Sequence, residues 1–293
     1  MTISSYSKNF LGIDLRPSFA RSRYAVVPVP YARTVSYGGG AEAGPDAVID
    51  ASYFVETFDE QELTDLENER IFTLEPWPVT VSSPDAMSEL IYKRSAELIR
   101  RKKRNIFIGG EHSITYGIVR AYKKFHPSFT CVVFDAHSDL RKSYMDSIHS
   151  HACTSRRIHS LGGINLIIIG VRSITREDYE FADKAKDINI FYAHDKETFL
   201  KNPGLITSLL KDKIYLSFDV DAFDSSIMPS TGTPEPGGLL WDETLKLLKT
   251  IISGRKMLGC DFVELAPTPA NRAPAYMTAK LICKTLSFWG AGR

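Results

Sequence analysis

Three short segments of the sequence bring carboxylates and imidazoles to the spacing of metal ligands. They are Gly109–Ser113 (Gly-Gly-Glu-His-Ser), Asp135–Asp139 (Asp-Ala-His-Ser-Asp) and Asp219–Asp224 (Asp-Val-Asp-Ala-Phe-Asp). One such motif alone is more typical of a turn or a cap than of a metal site. Three together would crowd acidic groups, and buried charges need partners or metal ions. The sequence therefore predicts a site for two metal ions, whose chemistry would be the activation of water.

Each segment follows an apolar run with the character of a strand. These runs are Asn105–Ile108, Thr130–Phe134 and Ile214–Phe218. Open α/β sheets build their active sites at the carboxyl ends of the strands. We therefore expect the ligand-type side chains to meet at one edge of a sheet.

Strands and helices alternate along the rest of the chain, which predicts an α/β fold with a mainly parallel sheet covered on both faces. Further strands are predicted at Tyr24–Val27, Asn165–Val171, Ile188–Phe191 and Met257–Val263. Helices are predicted at Ser88–Arg101, Ile114–Phe125, Arg176–Ala185, Asp242–Ile252 and Ala275–Leu286. The 293 residues, 43% of them hydrophobic, can bury a large core as one domain or two smaller ones. No change of composition and no linker argues for two.

Charge and cysteine content argue against several classes of protein. Lys and Arg number 36 against 35 acidic residues, so the basic run Arg100–Arg104 is interpreted as a solvated helix end rather than a nucleic-acid contact. The 4 scattered cysteines are expected to be buried thiols of a reducing compartment. No run reaches the roughly 20 apolar residues of a membrane span, and the N-terminus lacks a signal-peptide core. We expect a cytoplasmic protein with neither a membrane nor a nucleic-acid partner.

These motifs resemble those of the ureohydrolase family, which includes arginases and agmatinases, and they most resemble the agmatinase branch. The similarity is carried by Gly110–Ser113, Asp135–Asp139, Ser217–Asp221 and Thr231–Gly238, which occur in the family's order. The resemblance implies a single three-layer α/β/α domain spanning residues 1–293 and two Mn²⁺ ions. It also implies a small-molecule guanidino substrate and assembly into a homo-oligomer, either a trimer or a hexamer.

Carried over position by position, the resemblance implies two sets of metal ligands. The first metal would be held by His112, Asp135, Asp139 and Asp219, and the second by Asp135, His137, Asp219 and Asp221. Asp135 and Asp219 would then bridge the two ions. Carboxylate and imidazole ligands suit Mn²⁺, but they also admit Zn²⁺ or Co²⁺.

The implied reaction needs a strong nucleophile, because a guanidinium stays charged at neutral pH and its delocalised carbon resists neutral water. Two metals can supply hydroxide from a bridging water. Asp139 is expected to relay a proton, and His151 is the candidate shuttle toward the departing amine. Glu264 matches the family carboxylate that pairs with the guanidinium. The alternatives are a local helix-end hydrogen bond for His151 and a Lys or Arg partner for Glu264.

Other polar residues near these motifs are expected to have structural roles. Glu111 is predicted to support the neighbouring metal ligand. Cys153 is interpreted as a packed thiol rather than a redox switch. The remaining histidines are interpreted as ordinary surface or capping residues: His126, His149, His159 and His194.

Substrate choice depends on the loop Leu140–Ser147, which resembles the agmatinase loop rather than the polar loop with which arginases hold a carboxylate. Glu235 adds to this similarity. The expected reaction is therefore the hydrolysis of agmatine to putrescine and urea. Asp146 or Asp224 is the expected partner of the agmatine ammonium. The nearest alternatives are a guanidinobutyrase and an arginase.

The number of ligands argues against two more distant alternatives. A zinc deacetylase of the same fold needs only about three protein ligands, fewer than the set named above. A binding protein without turnover would have no reason to retain the complete set. Ser225 and Asn271 depart from the family pattern, where proline and an acidic residue are usual. These departures bear on substrate preference or subunit packing rather than on hydrolysis.

Overall fold

A parallel eight-stranded sheet forms the centre of the protein, whose computed structural model describes residues 3–12, 17–80 and 82–291. In these residues the strands are β1 (Tyr24–Val29), β2 (Phe58–Asp59), β3 (Thr64–Asp65), β4 (Ile71–Thr73), β5 (Arg104–Gly109), β6 (Phe129–Phe134), β7 (Ile164–Val171), β8 (Ile188–Tyr192), β9 (Lys213–Asp219) and β10 (Lys256–Val263). The central sheet has the order β4-β1-β5-β10-β9-β6-β7-β8, and its pairings are parallel. β2 and β3 form a separate antiparallel pair. The prediction of a mainly parallel sheet is confirmed.

Helices cover both faces of this sheet. They are α1 (Gly44–Ser52), α2 (Pro84–Arg100), α3 (Ile114–Phe125), α4 (Thr154–Ser160), α5 (Arg176–Lys184), α6 (Lys196–Lys201), α7 (Gly204–Thr207), α8 (Trp241–Ile252) and α9 (Ala273–Ala291). One core cluster joins the sheet to α1, α6, α7, α8 and α9, through residues such as Ile49 and Leu248. A second cluster joins the opposite face to α2, α3, α4 and α5, through residues such as Ile118 and Ile158. The predicted three-layer α/β/α architecture is confirmed.

Alternate residues of the central strands pack into the two cores. In β5, Ile106 and Ile108 belong to the first cluster, whereas Phe107 belongs to the second. A strand that is buried on both faces has no polar face, so its sequence becomes a nearly continuous apolar run. This is why the composition of these segments predicted their positions.

The predicted strands and helices are all present, with ends that differ by a few residues. α2 begins at Pro84, before the predicted Ser88, because the Ser83 hydroxyl accepts a hydrogen bond from Ala86 N at 3.0 Å. A serine cap followed by proline in the first turn is a favoured helix start. The sequence did not predict β4, which has only 3 residues, or α1, which begins with the turn-like pair Gly44 and Pro45.

The cysteines Cys131, Cys153, Cys260 and Cys283 are all buried and free, as predicted. Among the described residues there is no helix with the length and apolar content needed to cross a membrane.

Candidate metal centre and active site

The predicted ligand segments meet at the carboxyl edge of the sheet, on strands that are neighbours in the order β5-β10-β9-β6. His112 follows the end of β5, and Asp135 directly follows β6. Asp219 is the last residue of β9, and Glu264 directly follows β10. Because the strands are parallel, their carboxyl ends share one edge, which brings distant residues such as His112 and Glu264 into contact across 152 positions of sequence.

One group of ligand atoms surrounds the imidazole of His112. Its Nδ1 lies 3.1 Å from Asp135 Oδ2, 3.2 Å from Asp139 Oδ2 and 3.4 Å from Asp219 Oδ2. These four residues are buried, with no more than 8% of any of them exposed. The structure thus brings together the residues predicted for the first metal.

A second group contains Asp135, His137 and Asp221, with one ligand atom of each within 4.8 Å of the others. His137 Nδ1 lies 3.0 Å from Asp221 Oδ2 and 3.5 Å from Asp135 Oδ1. Asp135 belongs to both groups, with one oxygen near each histidine, and its bridging of two metals stays a prediction. Asp219 belongs only to the group around His112, so its bridging role stays a prediction.

The spacing of two residues between ligand-type groups has a local structural cause. His137 N donates to Asp135 Oδ1 at 2.6 Å, and Asp221 N donates to Asp219 Oδ1 at 2.9 Å. Each aspartate closes a turn with one oxygen, and its Oδ2 atom lies near His112. The same aspartates therefore close local turns and contribute to the cluster of ligand-type atoms, although from the sequence motif alone a turn and a metal site were alternatives.

Two acidic residues of the site adopt a left-handed backbone conformation, Asp139 with φ 50° and Glu264 with φ 65°. Residues other than glycine rarely adopt this conformation, because the Cβ atom approaches the backbone. Such strain persists only where the surrounding structure holds it, and it occurs often at functional sites. The strained turns place both carboxylates against His112. The Asp139 carboxylate lies near Nδ1 of His112, and the Glu264 carboxylate accepts a hydrogen bond from the backbone N–H of His112.

The electrostatics of the cluster indicate a site for cations. Burial raises the pKa of Asp219 well above its ordinary value, and the charges of Asp221 and Asp135 raise it further. Burial opposes the protonation of His137, but Asp221 and Asp135 outweigh it and raise its pKa to about 12. Among the described residues, the buried atoms His112 Nδ1 and Asp135 Oδ2 have no hydrogen-bond partner. A divalent cation would accept the converging lone pairs and neutralise the surplus negative charge, so these residues fit a metal centre.

A hydrogen-bonded chain behind His112 fixes the orientation of its ring. His112 Nε2 lies 3.0 Å from Ser217 Oγ, and Ser217 Oγ donates to Asp261 Oδ1 at 2.6 Å. Tyr215 donates to the other oxygen of Asp261, which is fully buried within β10. An outer partner of this kind selects the ring orientation of a ligating histidine. The sequence does not predict this role, because an acid inside an apolar strand lacks a local pattern that identifies its partner.

His151 and Glu264 form a pair beside the cluster. His151 Nδ1 lies 3.2 Å from Glu264 Oε1, which also accepts a hydrogen bond from His112 N at 2.6 Å. Burial lowers the pKa of His151, but the contact with Glu264 outweighs it and raises the pKa to about 9. No Lys or Arg of the described chain lies within 4.0 Å of the Glu264 carboxylate, so the alternative of a basic partner finds no support.

Glu111 has a structural role, as expected, but its hydrogen bonds hold a loop, and its predicted support of the neighbouring His112 stays a prediction. Its carboxylate accepts hydrogen bonds from Arg33 N and Thr34 N, both at 2.6 Å, and from the hydroxyls of Thr34 and Ser113. The Thr34 hydroxyl in turn accepts from His151 N at 2.9 Å. Glu111 therefore holds a loop that positions the backbone of His151.

A cavity of about 310 Å³ opens above the cluster. The predicted site residues that line it are His137, Asp139, His151, Asp219, Asp221 and Glu264. Glu235 also lines it, as does Asp178, which the sequence analysis did not identify. An acid in the first turn of a helix is usually explained by the helix dipole, so Asp178 gave no separate signal.

The expected partners of an agmatine ammonium, Asp146 and Asp224, do not line this cavity. Asp146 is exposed. The Asp224 carboxylate accepts hydrogen bonds from Ser226, from Gly237 N at 2.6 Å and from Gly238 N at 2.9 Å, which lower its pKa to about 2. Asp224 is therefore a loop anchor, and the structure offers Asp178 and Glu235 as the acids that face the cavity.

Known proteins with similar sequences and structures are found along nearly the whole chain. The chain is 36% identical to the N(1)-aminopropylagmatine ureohydrolase of Synechocystis sp., an alignment that covers 98% of this chain and 95% of the relative. It is 35% identical to the agmatinase of Pyrococcus horikoshii, with coverage of 96% and 95%. The crystal structure of the agmatine ureohydrolase of Thermoplasma volcanium matches with a TM-score of 0.87 and 28% identity, over 98% of this chain and 95% of that one.

The sequence profile of the arginase family matches residues 22–287, which is most of the chain. Together with relatives above 30% identity along nearly their whole length, this match confirms the resemblance to ureohydrolases. The chain belongs to the arginase family.

Proposed function

We propose that the protein is an agmatinase-like hydrolase that uses two Mn²⁺ ions to convert agmatine and water into putrescine and urea. The observation that carries this proposal is Asp135, whose two oxygens approach two different histidines below a cavity lined by His151 and Glu264. Similarity to named agmatinases supports the substrate. We further infer one ureohydrolase domain over residues 1–293, a cytoplasmic location, a part in polyamine synthesis, and a homo-trimer or homo-hexamer.

The residues that would hold the first ion are His112, Asp135, Asp139 and Asp219, and those for the second are Asp135, His137, Asp219 and Asp221. When bound, such ions would lower the pKa of a bound water and so supply hydroxide near neutral pH. Carboxylates supply most of these ligands, and oxygen-rich sites suit Mn²⁺.

Glu264 and His151, together with the candidate ligand Asp139, bind the substrate and move protons. Glu264 accepts N–H hydrogen bonds from the guanidinium and so orients its carbon toward the nucleophile. Asp139 accepts the proton that the nucleophile loses as it adds to that carbon. Collapse of the tetrahedral carbon breaks its bond to the alkylamine, which must leave with a proton. His151, whose Nδ1 contacts Glu264 and whose buried Nε2 has no partner among the described residues, donates that proton.

The charges at the cavity favour a cationic tail on the substrate over an anionic one. The acids Asp178 and Glu235 line it. Among the described residues that line it, Arg141 is the one arginine, and there is no lysine. Arg141 is exposed, with its guanidinium 4.9 Å from the Tyr144 ring centre. This balance opposes arginine and 4-guanidinobutyrate, whose tails carry a carboxylate.

A second candidate substrate is N(1)-aminopropylagmatine, which would yield urea and a triamine. The relative from Synechocystis with 36% identity carries that name, and its alignment spans nearly the whole chain. Asp178 and Glu235, which line the cavity and have no role at the metals or the guanidinium, also match in number the two amines of this longer tail.

The experiment that tests the function is urea release by purified protein that has been stripped of metal and reloaded with Mn²⁺. We expect turnover of agmatine or N(1)-aminopropylagmatine, and little turnover of arginine or 4-guanidinobutyrate. Asp139→Asn should reduce kcat by at least about a hundredfold, because it removes a proton acceptor at the nucleophile. Unchanged urea release by Asp139→Asn would contradict the mechanism. A wild-type protein that hydrolyses no guanidine would contradict the function.

A further inference from the structure

We propose that Thr34 is a positioning residue for the proton donor His151, because its hydroxyl caps the helical segment that begins with His151. This inference rests on the proposed function and extends it to a residue that does not touch the substrate. Thr34 lies in the loop between β1 and α1, 117 positions before His151. Neither the metal ligands nor the residues proposed to contact the guanidinium include it.

The contacts of the Thr34 hydroxyl fix the direction of its hydrogen bonds. A hydroxyl has one proton to donate and lone pairs that accept. The backbone N–H of His151 lies 2.9 Å from Thr34 Oγ1 and can only donate to it, so the hydroxyl proton is free for Glu111 Oε1 at 2.6 Å. The backbone N–H of Thr34 donates to the other oxygen of Glu111, also at 2.6 Å. Thr34 thus ties the backbone of His151 to a fully buried acid.

The segment that begins with His151 has no cap from its own side chains. His151–Cys153 is a 3₁₀ turn that leads directly into α4. The first amides of a helix lack partners within it, and a serine before the helix commonly accepts from one of them. Ser150 occupies that position, but its buried hydroxyl has no hydrogen-bond partner among the described residues. The acceptor for the first amide comes instead from Thr34, in a distant part of the chain.

The ring and the backbone of His151 are held by different acids. Glu264 Oε1 lies 3.2 Å from His151 Nδ1, whereas Glu111 acts on the backbone through Thr34. Both acids are anchored beside His112, since Glu111 precedes it and Glu264 accepts from its N–H at 2.6 Å. Two separate attachments therefore fix the distance between His151 and the metal centre. A displacement of about 1 Å in a catalytic group can slow a reaction by roughly a hundredfold.

A purely structural role for Thr34 makes a different prediction. If the hydroxyl only stabilises its loop, its loss should lower Tm and should reduce activity whether or not His151 is present. If it acts through His151, its loss should have little effect once the imidazole has been removed. A double-mutant cycle distinguishes these roles, because it measures whether two residues act as a unit.

The test combines Thr34→Val, which replaces the hydroxyl by a methyl group, with His151→Asn. On agmatine we expect Thr34→Val alone to lower kcat roughly tenfold or more, while KM and the affinity for Mn²⁺ stay within about twofold. In the His151→Asn background the same exchange should change kcat by less than about twofold. Thr34→Ser retains the hydroxyl and should keep kcat within about threefold of the wild type.

Thr73 offers a matched control, because its hydroxyl makes the same two kinds of contact away from the site. On β4, Thr73 Oγ1 donates to Asn9 Oδ1 and accepts from Phe10 N, both at 2.9 Å. Thr73 is also more buried than Thr34, with only 1% of it exposed. Thr73→Val should therefore lower Tm at least as much as Thr34→Val does, and it should leave kcat unchanged.

Three kinetic outcomes would overturn the assignment. They are an equal loss of kcat from Thr34→Val in the two backgrounds, an unchanged kcat in Thr34→Val, and a loss in Thr34→Ser as large as in Thr34→Val.

Amide hydrogen exchange tests the same contact without turnover and without a variant. The N–H of His151 should be protected in the wild type, and exchange at the rate of an exposed loop amide would also contradict the assignment. This measurement remains decisive if Thr34→Val fails to fold. A wild type that hydrolyses no guanidine would contradict the proposed function, whereas exchange at His151 would still show whether Thr34 holds its backbone.

Discussion

At the scale of single residues, the proton held by His151 depends on its contact with one carboxylate. Burial alone would lower the pKa of this imidazole, but Glu264, together with the charges of Asp139 and Glu111, raises it from 6.5 to about 9. The raised pKa means that His151 is protonated at neutral pH. A group that must donate a proton to a departing amine is active only below its pKa.

We therefore predict that kcat/KM of the Mn²⁺-loaded enzyme falls as the pH rises through about 9, because His151 then loses the proton that it donates. The expected slope is about tenfold per pH unit beyond that point. A pH profile of urea release from agmatine measures this decline. In His151→Asn the residual activity should be low and should lack this decline. A wild-type profile that begins to fall near pH 6.5, the ordinary pKa of histidine, would contradict the prediction.

The residues that the sequence could identify are those whose role depends on local spacing. Asp135 and His137 follow one strand, so their proximity is set by a single turn. The contact between His151 and Glu264 joins residues 113 positions apart, and only the resemblance to a family suggested that both belong to the site. Asp178 escaped notice because its local surroundings, a helix start, already explain an acidic residue.

At the scale of elements, Arg172 joins three segments at the carboxyl edge of the sheet. Its guanidinium donates to Gly170 O at the end of β7 and to Asp221 O and Phe223 O after β9. It also donates to Glu235 O at 2.8 Å and, through Nε, to Pro236 O at 3.0 Å. A planar group with five donors suits this set of backbone carbonyls, whereas a lysine ammonium does not.

We predict that Arg172→Lys destabilises the fold by about 2–4 kcal/mol, since several buried carbonyls lose a charged donor. Chemical denaturation measures this change. Mn²⁺ affinity should also fall, because Arg172 holds the backbone of the candidate ligand Asp221. Arg176→Lys, an exchange at an exposed position nearby, is the control and should leave both quantities unchanged. Wild-type stability and metal affinity in Arg172→Lys would show that the loops hold their positions without this clamp.

Apart from the edge strand β8, the strands that the sequence predicted correctly lie inside the sheet and are buried on both faces. β7, with 8 residues from Ile164 to Val171, is a nearly continuous apolar run, so its composition was sufficient. β4 has only 3 residues at the edge of the sheet, too few for a periodic pattern. The order of the strands could not be predicted, because parallel neighbours such as β5 and β10 are set by contacts between residues about 150 positions apart.

At the scale of the whole molecule, charge is divided between the two edges of the sheet. The carboxyl edge carries the acidic cluster, whereas a groove of about 980 Å³ at the amino edge is lined by basic residues and by no carboxylate of the described chain. There Lys103 donates to Ala20 O and Ser22 O, and Arg104 donates to Trp289 O near the end of α9. Cations are favoured at helix carboxyl ends, which accounts for Lys103 and Arg104 at this edge of the sheet.

This arrangement makes the acidic edge the part of the molecule that gains most from bound cations. A ligand that binds only the folded state stabilises it by about 2.7 kcal/mol at a hundred times its Kd. Two such sites should raise Tm by roughly 10 °C in a chain of this size. We therefore predict that removing metal with a chelator lowers Tm by about that amount and that added Mn²⁺ restores it, as measured by calorimetry. Asp219→Asn should melt close to the metal-free wild type. Burial and the charges of Asp221 and Asp135 already raise the pKa of Asp219, so replacing its carboxylate by a neutral amide costs little stability. Asparagine also keeps an acceptor for Asp221 N. Its response to Mn²⁺ should be largely lost. An equal rise of Tm in this variant, or none in the wild type, would mean that the cluster does not bind the metal.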